Sequence, residues 1–313
     1  MYLANPTLYE AYAAVIDVFS VSIAQSKESK VPNDLIEHIT HKIILDDSLF
    51  HPQGGGQPSD RGTLVAANGV AFHVLFVSTS NKSGSKIIEH YGHYAFMQSV
   101  SAELEGSSET DRTSAQLKSN GSEEMLPIQG LMDNMSVQIS TSDKLEEILS
   151  IETGTNVKMS VDILQRQLNS RLHSAGHSID AALKRCDGDV FTRLRATKGY
   201  HFTDGPYVEY EGELNEIEMR ELPHILNIHL SNIIDENIPT LISMIKKADA
   251  SKLLELTLAD LEFYPNLVRI VNVAGLPCAC GGTHVTSTAD LMKVTVTKIK
   301  KKKKIIKISY AIQ

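Results

Sequence analysis

The chain has 313 residues, 42% of them apolar, which allows about two domains with buried cores and excludes disorder of the whole. Its net charge of −8 argues against nucleic-acid binding spread over the surface, so any phosphate contact has to come from a local basic cluster. Three cysteines, Cys186, Cys278 and Cys280, cannot build a disulfide framework, and no apolar run reaches the ~18 residues of a spanning helix.

The N-terminus lacks a basic segment followed by an apolar core and a small-residue cleavage site, so a cytoplasmic protein in a reducing compartment is expected. Val15, Phe19, Val21 and Ile23 alternate with Ser20 and Ser22 and predict a first strand. A second mixed run, Ile39 to Leu49, ends at His51-Pro52-Gln53-Gly54-Gly55-Gly56-Gln57-Pro58-Ser59-Asp60-Arg61-Gly62. Three consecutive glycines between prolines cannot be helix interior. The stretch lacks the Gly-Lys-Ser/Thr ending of a phosphate loop and precedes no helical pattern, so it reads as a glycine-rich bend between barrel strands. Gly62 to Ser78 and Ile87 to Phe96 read as β, punctuated by Asn68-Gly69 and residues 81 to 84.

From about Ser99 to Glu124 serine, acidic and amide residues replace apolar ones, and a disordered acidic insertion in a barrel loop is expected there. Short β-like runs at Met135 to Ile139 and Val157 to Val161 would close the barrel. The expected organisation is α+β: a β-barrel domain over residues 1–155, then a second domain over 156–313. In the second domain a long helix runs from about Val161 to Lys184. A hairpin follows over Leu194 to Gly212, turning at Asp204-Gly205-Pro206, then an amphipathic helix from Glu216 to Asn237 in spite of Pro223. Thr240 to Ile245 and Val268 to Val273 read as strands, Ala250 to Asp260 as a short helix, and Leu291 to Ile299 pairs with Ile305 to Ile312.

Chemistry is concentrated in two places. His173 and His177 stand four residues apart on the long helix, within ~5 to 6 Å of each other on one face. About a hundred residues later, Cys280-Gly281-Gly282-Thr283-His284 adds a thiol and a third imidazole on a tight loop. One thiolate with three imidazoles suits Zn²⁺ better than Mg²⁺ or Ca²⁺. A zinc peptidase needs glutamate after the first histidine, and Ser174 stands there. Lys298, Lys300, Lys301, Lys302, Lys303, Lys304 and Lys307 crowd one turn near the C-terminus, either as a solvated turn or as a phosphate-binding patch.

Together, H-S-A-G-H on a helix, C-G-G-T-H on a later loop and H-P-Q-G-G-G-Q-P-S-D-R-G near the front resemble the AlaX-type alanyl-tRNA editing proteins, relatives of the editing domains of alanyl- and threonyl-tRNA synthetases. The resemblance covers nearly the whole chain apart from the acidic stretch. It implies a barrel similar to those of translation factors, followed by an α+β editing domain holding one zinc through His173, His177, Cys280 and His284. Cys278 could compete as ligand, although the spacing to His284 favours Cys280.

The implied activity is trans-editing: hydrolysis of serine, or glycine, wrongly esterified to tRNA(Ala), with the acceptor stem as partner and no membrane involved. Editing of Ser-tRNA(Thr) and a non-catalytic tRNA-binding module with a structural zinc are the alternatives. No ATP-dependent ligase domain and no C-terminal extension are expected. By the same resemblance Gly54, Gly55, Gly56, Gln57 and Asp60 lie near the editing site.

Backbone N–H groups of Gly281 and Gly282 are candidates for holding an oxyanion. Thr197, Lys198 and His201, with Thr283, are candidates for lining a pocket that senses the serine hydroxyl, and Lys300 to Lys304 for gripping tRNA from beside the zinc. Four protein ligands close a tetrahedral zinc, so hydrolysis requires either a displaced ligand, His284 first, or a metal that orients the substrate while water attacks elsewhere.

Overall fold

A computed structural model describes residues 2–28, 30–82, 85–95, 150–262 and 264–313. The expected acidic insertion and the run from Met135 to Ile139 lie outside these residues. Six strands form a closed barrel in the order β1 (Glu10–Ser20), β2 (His41–Leu45), β5 (Ser85–Tyr94), β4 (Ala71–Lys82), β3 (Gly62–Ala66) and β6 (Asn156–Val161). Strand β6 alternates in burial, with Val157, Met159 and Val161 inside, as the period of two demands. It pairs antiparallel with both β1 and β3, so the strand that closes the barrel comes from the far side of the long undescribed segment. Ile43, Leu64, Phe72, Val157 and Met159 fill the interior and are fully buried. The first strand ends at Ser20, earlier than the alternation to Ile23 suggests, and Ile23 opens the short helix α1 (Ile23–Glu28).

The long helix α2 (Ile163–Lys184) leaves β6 directly. Asp162 caps it by accepting from Gln165 N, so Val161 belongs to the strand and the helix starts two residues later than expected. Leu172, Ile179 and Leu183 of α2 pack against Leu222, Leu226, Leu230 and Ile233 of α4 (Glu216–Asp235), whose spacing marks one helix face. A capping box between Asn215 and Glu218 fixes the start of α4. A one-turn helix α3 (Val190–Arg193) separates α2 from the next strand.

Beside this pair lies an antiparallel four-stranded sheet in the order β12 (Val294–Lys302), β13 (Ile305–Ile312), β8 (Tyr207–Gly212), β7 (Leu194–Tyr200). A three-stranded sheet, ordered β11 (Leu276–Ala279), β10 (Leu267–Val273), β9 (Leu241–Lys246), carries Cys278 and leads directly into Cys280. Between β9 and β10, helix α5 (Lys247–Leu253) ends earlier than the apolar spacing to Asp260 suggests. Among the described residues no helix is long and apolar enough to cross a membrane.

Barrel and helix are locked together by Arg166 and Asp60, 1% and 0% exposed, whose guanidinium and carboxylate meet at 2.5 to 2.9 Å. Arg166 also donates to the carbonyls of Pro6 and Leu49, and Asp60 accepts from His51 N, so this buried pair has its hydrogen bonds satisfied. Asp60 therefore anchors the end of the glycine-rich loop to α2.

Candidate metal centre and its cavity

Helix periodicity puts His173 and His177 on one face of α2, with ring centroids 5.0 Å apart. The loop after β11 brings Cys280 and His284 against them. Cys280 Sγ lies 3.5 Å from His173 Nε2 and 3.4 Å from His284 Nε2, and one donor atom from each of the four residues falls within 4.8 Å of all the others. Zinc bonds of ~2.0 to 2.3 Å in a tetrahedron put ligand atoms roughly 3.3 to 3.7 Å apart; the two Cys280 distances match that spacing, and the donor set is one that could hold a metal ion such as zinc. Gly282 is where the loop must pass without a side chain, because a Cβ there would stand 2.1 Å from His173 Cε1.

The supports of these four residues come from the front motif and from α2 itself. Gln57 Oε1 accepts from His173 Nδ1 at 2.7 Å and from Thr283 N at 2.9 Å, and its amide donates to Thr283 Oγ1 at 2.9 Å. That acceptor assigns the proton of His173 to Nδ1 and leaves Nε2 for a metal. Ser174 Oγ lies 3.1 Å from His284 Nδ1 and accepts from Val285 N, so the residue standing where a zinc peptidase has glutamate positions His284. Thr283 is fully buried between Gln57 and Ser170, whose hydroxyl donates to it at 2.7 Å; it braces the loop rather than facing a cavity.

His173, His177 and Cys280 open onto a cavity of about 580 Å³ between the glycine-rich loop and β7. Thr197, Lys198, His201, Gly54, Gly55, Gly281 and Gly282 line it, while Gly56, Gln57 and Asp60 of the front motif stand behind it. His284 borders a different cavity. Thr197 is exposed, with its hydroxyl donating to Glu209 O at 3.1 Å. Gly282 N–H points at Cys280 Sγ, 3.4 Å away, and is engaged there, whereas Gly281 N–H enters no hydrogen bond among the described residues.

His201 stacks on His173 with centroids 4.7 Å apart. Tyr310 donates its hydroxyl proton to Leu172 O, so its oxygen accepts from His201 Nδ1 at 2.6 Å, and His201 Nε2 enters no hydrogen bond among the described residues. Burial pushes His201 down to about 2, and neighbouring histidines push the same way, so this ring is neutral at physiological pH. Asp180, one turn beyond His177, also lines the cavity and accepts from Tyr210 Oη at 2.6 Å. Gln57, Ser174, Tyr310 and Asp180 acquire these partners through contacts 30 to 226 residues away, where local spacing carries no signal; only Gln57 was flagged, by the front motif.

The lysine run does not sit beside this centre. Lys303 and Lys304 turn the hairpin beyond Glu211 and Gly212, while His201 and Tyr310 mark the opposite end of the same sheet. From Tyr310 back to Ile305 the strand covers roughly 17 Å at ~3.4 Å per residue, and the lysine turn lies beyond it.

Residues 268–307 match the family model of the threonyl and alanyl tRNA synthetase second additional domain. The AlaX-M alanyl-tRNA editing protein of Methanosarcina barkeri is 24% identical over 84% of this chain and 84% of its own length. The AlaX-L alanyl-tRNA editing protein of Pyrococcus horikoshii is 26% identical over 97% of this chain and 55% of the relative. An alanine–tRNA ligase of Methanosphaera stadtmanae is 24% identical over 80% of this chain, which spans only 22% of that ligase. The chain thus resembles AlaX-type editing proteins over most of its length.

Proposed function

We propose that this chain, similar to AlaX-type editing proteins, is a zinc-dependent deacylase that removes serine wrongly esterified to tRNA(Ala), and that its barrel is of the translation-factor kind. The observation that carries this reading is the His173, His177, Cys280 and His284 cluster opening onto a cavity walled by both the glycine-rich loop and β7. A zinc held there would polarise an ester carbonyl or acidify a water, which is the Lewis-acid chemistry ester hydrolysis uses.

The chain's own groups do the rest. An ester entering the cavity meets the metal position from the side of His177 and Cys280, both half-buried, with His284 held behind by Ser174. Displacement of His284 is therefore less favoured than approach at the cavity face. The Gly281 N–H is the donor left for the ester oxygen, since Gly282 is engaged with the thiol. His201, neutral and with Nε2 free, orients a water by accepting its hydrogen bond and is too weak a base to remove its proton. Attack on the ester carbon breaks its bond to the ribose oxygen, which takes a proton and leaves as tRNA. Thr197 and Lys198 on β7, which line the cavity, are proposed to contact the amino-acid side chain. A site that hydrogen-bonds the serine hydroxyl rejects alanine by up to ~10⁴ to 10⁵, because alanine leaves the polar group unpaired.

The test is incubation of the zinc-loaded protein with Ser-tRNA(Ala), Gly-tRNA(Ala), Ala-tRNA(Ala) and Ser-tRNA(Thr), following ester loss. Rapid loss of Ser-tRNA(Ala) with Ala-tRNA(Ala) preserved is expected. Bound zinc without hydrolysis of any of the four would leave the non-catalytic module, and faster loss of Ser-tRNA(Thr) would move the substrate to the threonine tRNA.

The lysine hairpin, exposed at residues 300–304, is proposed as a phosphate grip on the acceptor stem, at the end of the sheet away from His201 and Tyr310. Replacing Lys302, Lys303 and Lys304 with serine is expected to flatten the salt dependence of tRNA binding by roughly one unit of slope per lost phosphate contact, with the serine-to-alanine hydrolysis ratio unchanged. An unaltered slope would show that tRNA is gripped elsewhere.

A further inference from the structure

On the other side of the glycine-rich loop lies a second cavity of about 400 Å³, and Gln53 borders both. Its wall includes the first turns of α2, where Asn169 is fully buried. Asn169 Oδ1 accepts from Gln165 Nε2 at 2.9 Å, but its Nδ2 has no hydrogen-bond partner among the described residues. A buried amide donor left unpaired is unfavourable, and a ligand carrying an acceptor would satisfy it.

The rim is formed by Arg61, Phe202 and Asp204. Phe202 stacks on Tyr200 with centroids 4.6 Å apart and planes within 20°, and Tyr200 stacks on Tyr207 at 5.2 Å and 17°. The ammonium of Lys307 caps this row 3.2 Å from the Tyr207 ring centre, and the Tyr200 hydroxyl is held by Asp204 at 2.9 Å. A half-buried aromatic row beside lysine and arginine is what single-stranded nucleic acids use as a stacking platform, whatever the base.

The two cavities are linked through the chain. His201, whose ring stacks on the metal-site His173, is followed directly by Phe202, and the two residues border different cavities. A substrate with its ester beside His201 therefore has its nearest nucleotides within reach of Phe202.

We propose that this second cavity takes a nucleobase from the single-stranded 3′ end of the tRNA, stacked on Phe202 and hydrogen-bonded to Asn169 Nδ2 through an acceptor on the base edge. The proposal rests on the tRNA reading above, but its test does not require catalysis. The unacylated trinucleotide CCA and an abasic trinucleotide of equal charge are titrated into the zinc-loaded protein and into Phe202→Leu and Asn169→Ala, with zinc content and thermal midpoint recorded for each.

CCA should bind the unaltered protein more tightly than the abasic strand, and each substitution should weaken CCA about tenfold without moving the abasic affinity or the zinc content. Equal binding of CCA and the abasic strand would overturn the proposal, as would CCA affinity unchanged in both variants. Should one variant lose its fold, seen in its midpoint, the other decides. Failure of the unaltered protein to hydrolyse any aminoacyl-tRNA would instead strike the deacylase reading.

Discussion

His173→Ala is expected to strip the protein of zinc and abolish deacylation, a larger loss than the ~10- to 100-fold in affinity that follows from removing an outer partner of a ligand. Three features of His173 make it the most sensitive position. Its Nε2 lies 3.5 Å from Cys280 Sγ, its Nδ1 is oriented by Gln57, and its ring is sandwiched between His177 and His201. Metal analysis of the purified variant checks the claim, and full zinc stoichiometry would sink the ligand assignment.

The two thiols sharpen the same experiment. Cys280→Ser should lose both metal and activity, because its sulfur touches His173 and His284. Hydrogen bonding from Cys278 and the nearby histidines hold the Cys280 thiol well below its usual range, ready to bind metal as thiolate. Cys278→Ser should keep both, since Cys278, although its Sγ is 3.5 Å from His177 Nδ1, is not among the four residues whose donor atoms lie within 4.8 Å of one another. The reverse pattern would make Cys278 the ligand.

The four-residue cluster is legible because each pair is short-range: His173 and His177 share one helix turn, Cys280 and His284 share one loop. Period-two and helical patterning likewise revealed nearly every strand of the barrel and both long helices. What escaped was set by tertiary contact. β11 was missed because Pro277 and the preceding turn at Ala274 and Gly275 mask a four-residue strand that exists by pairing with β10. The oxyanion pairing of Gly281 with Gly282 fails at Gly282 because its N–H meets Cys280 Sγ, a matter of loop torsion no spacing encodes. The lysine run was misplaced for a simpler reason: nearness in sequence to His284 says nothing once β12 carries the chain away along the full length of the sheet.

Asp60→Ala is expected to destabilise the protein by about 3 to 5 kcal/mol, since it leaves the Arg166 guanidinium uncompensated at 1% exposure. At roughly 2 to 4 °C per kcal/mol, the thermal midpoint should fall by about 10 °C. Part of the effect is local: Asp60 also accepts from His51 N, so the glycine-rich loop loses its tether and Gln57 its fixed aim at His173. Zinc affinity measured below the midpoint should therefore weaken too, though less than in His173→Ala. The double replacement Asp60→Leu with Arg166→Met removes both charges and should recover much of the stability, because no buried charge is then left alone. Recovery of the midpoint without recovery of zinc affinity would separate the two roles of the pair, joining barrel to helix and aiming the loop. A midpoint within 1 °C of the unaltered protein for Asp60→Ala would show that water or another group reaches Arg166, and that the pair does not hold the two halves together.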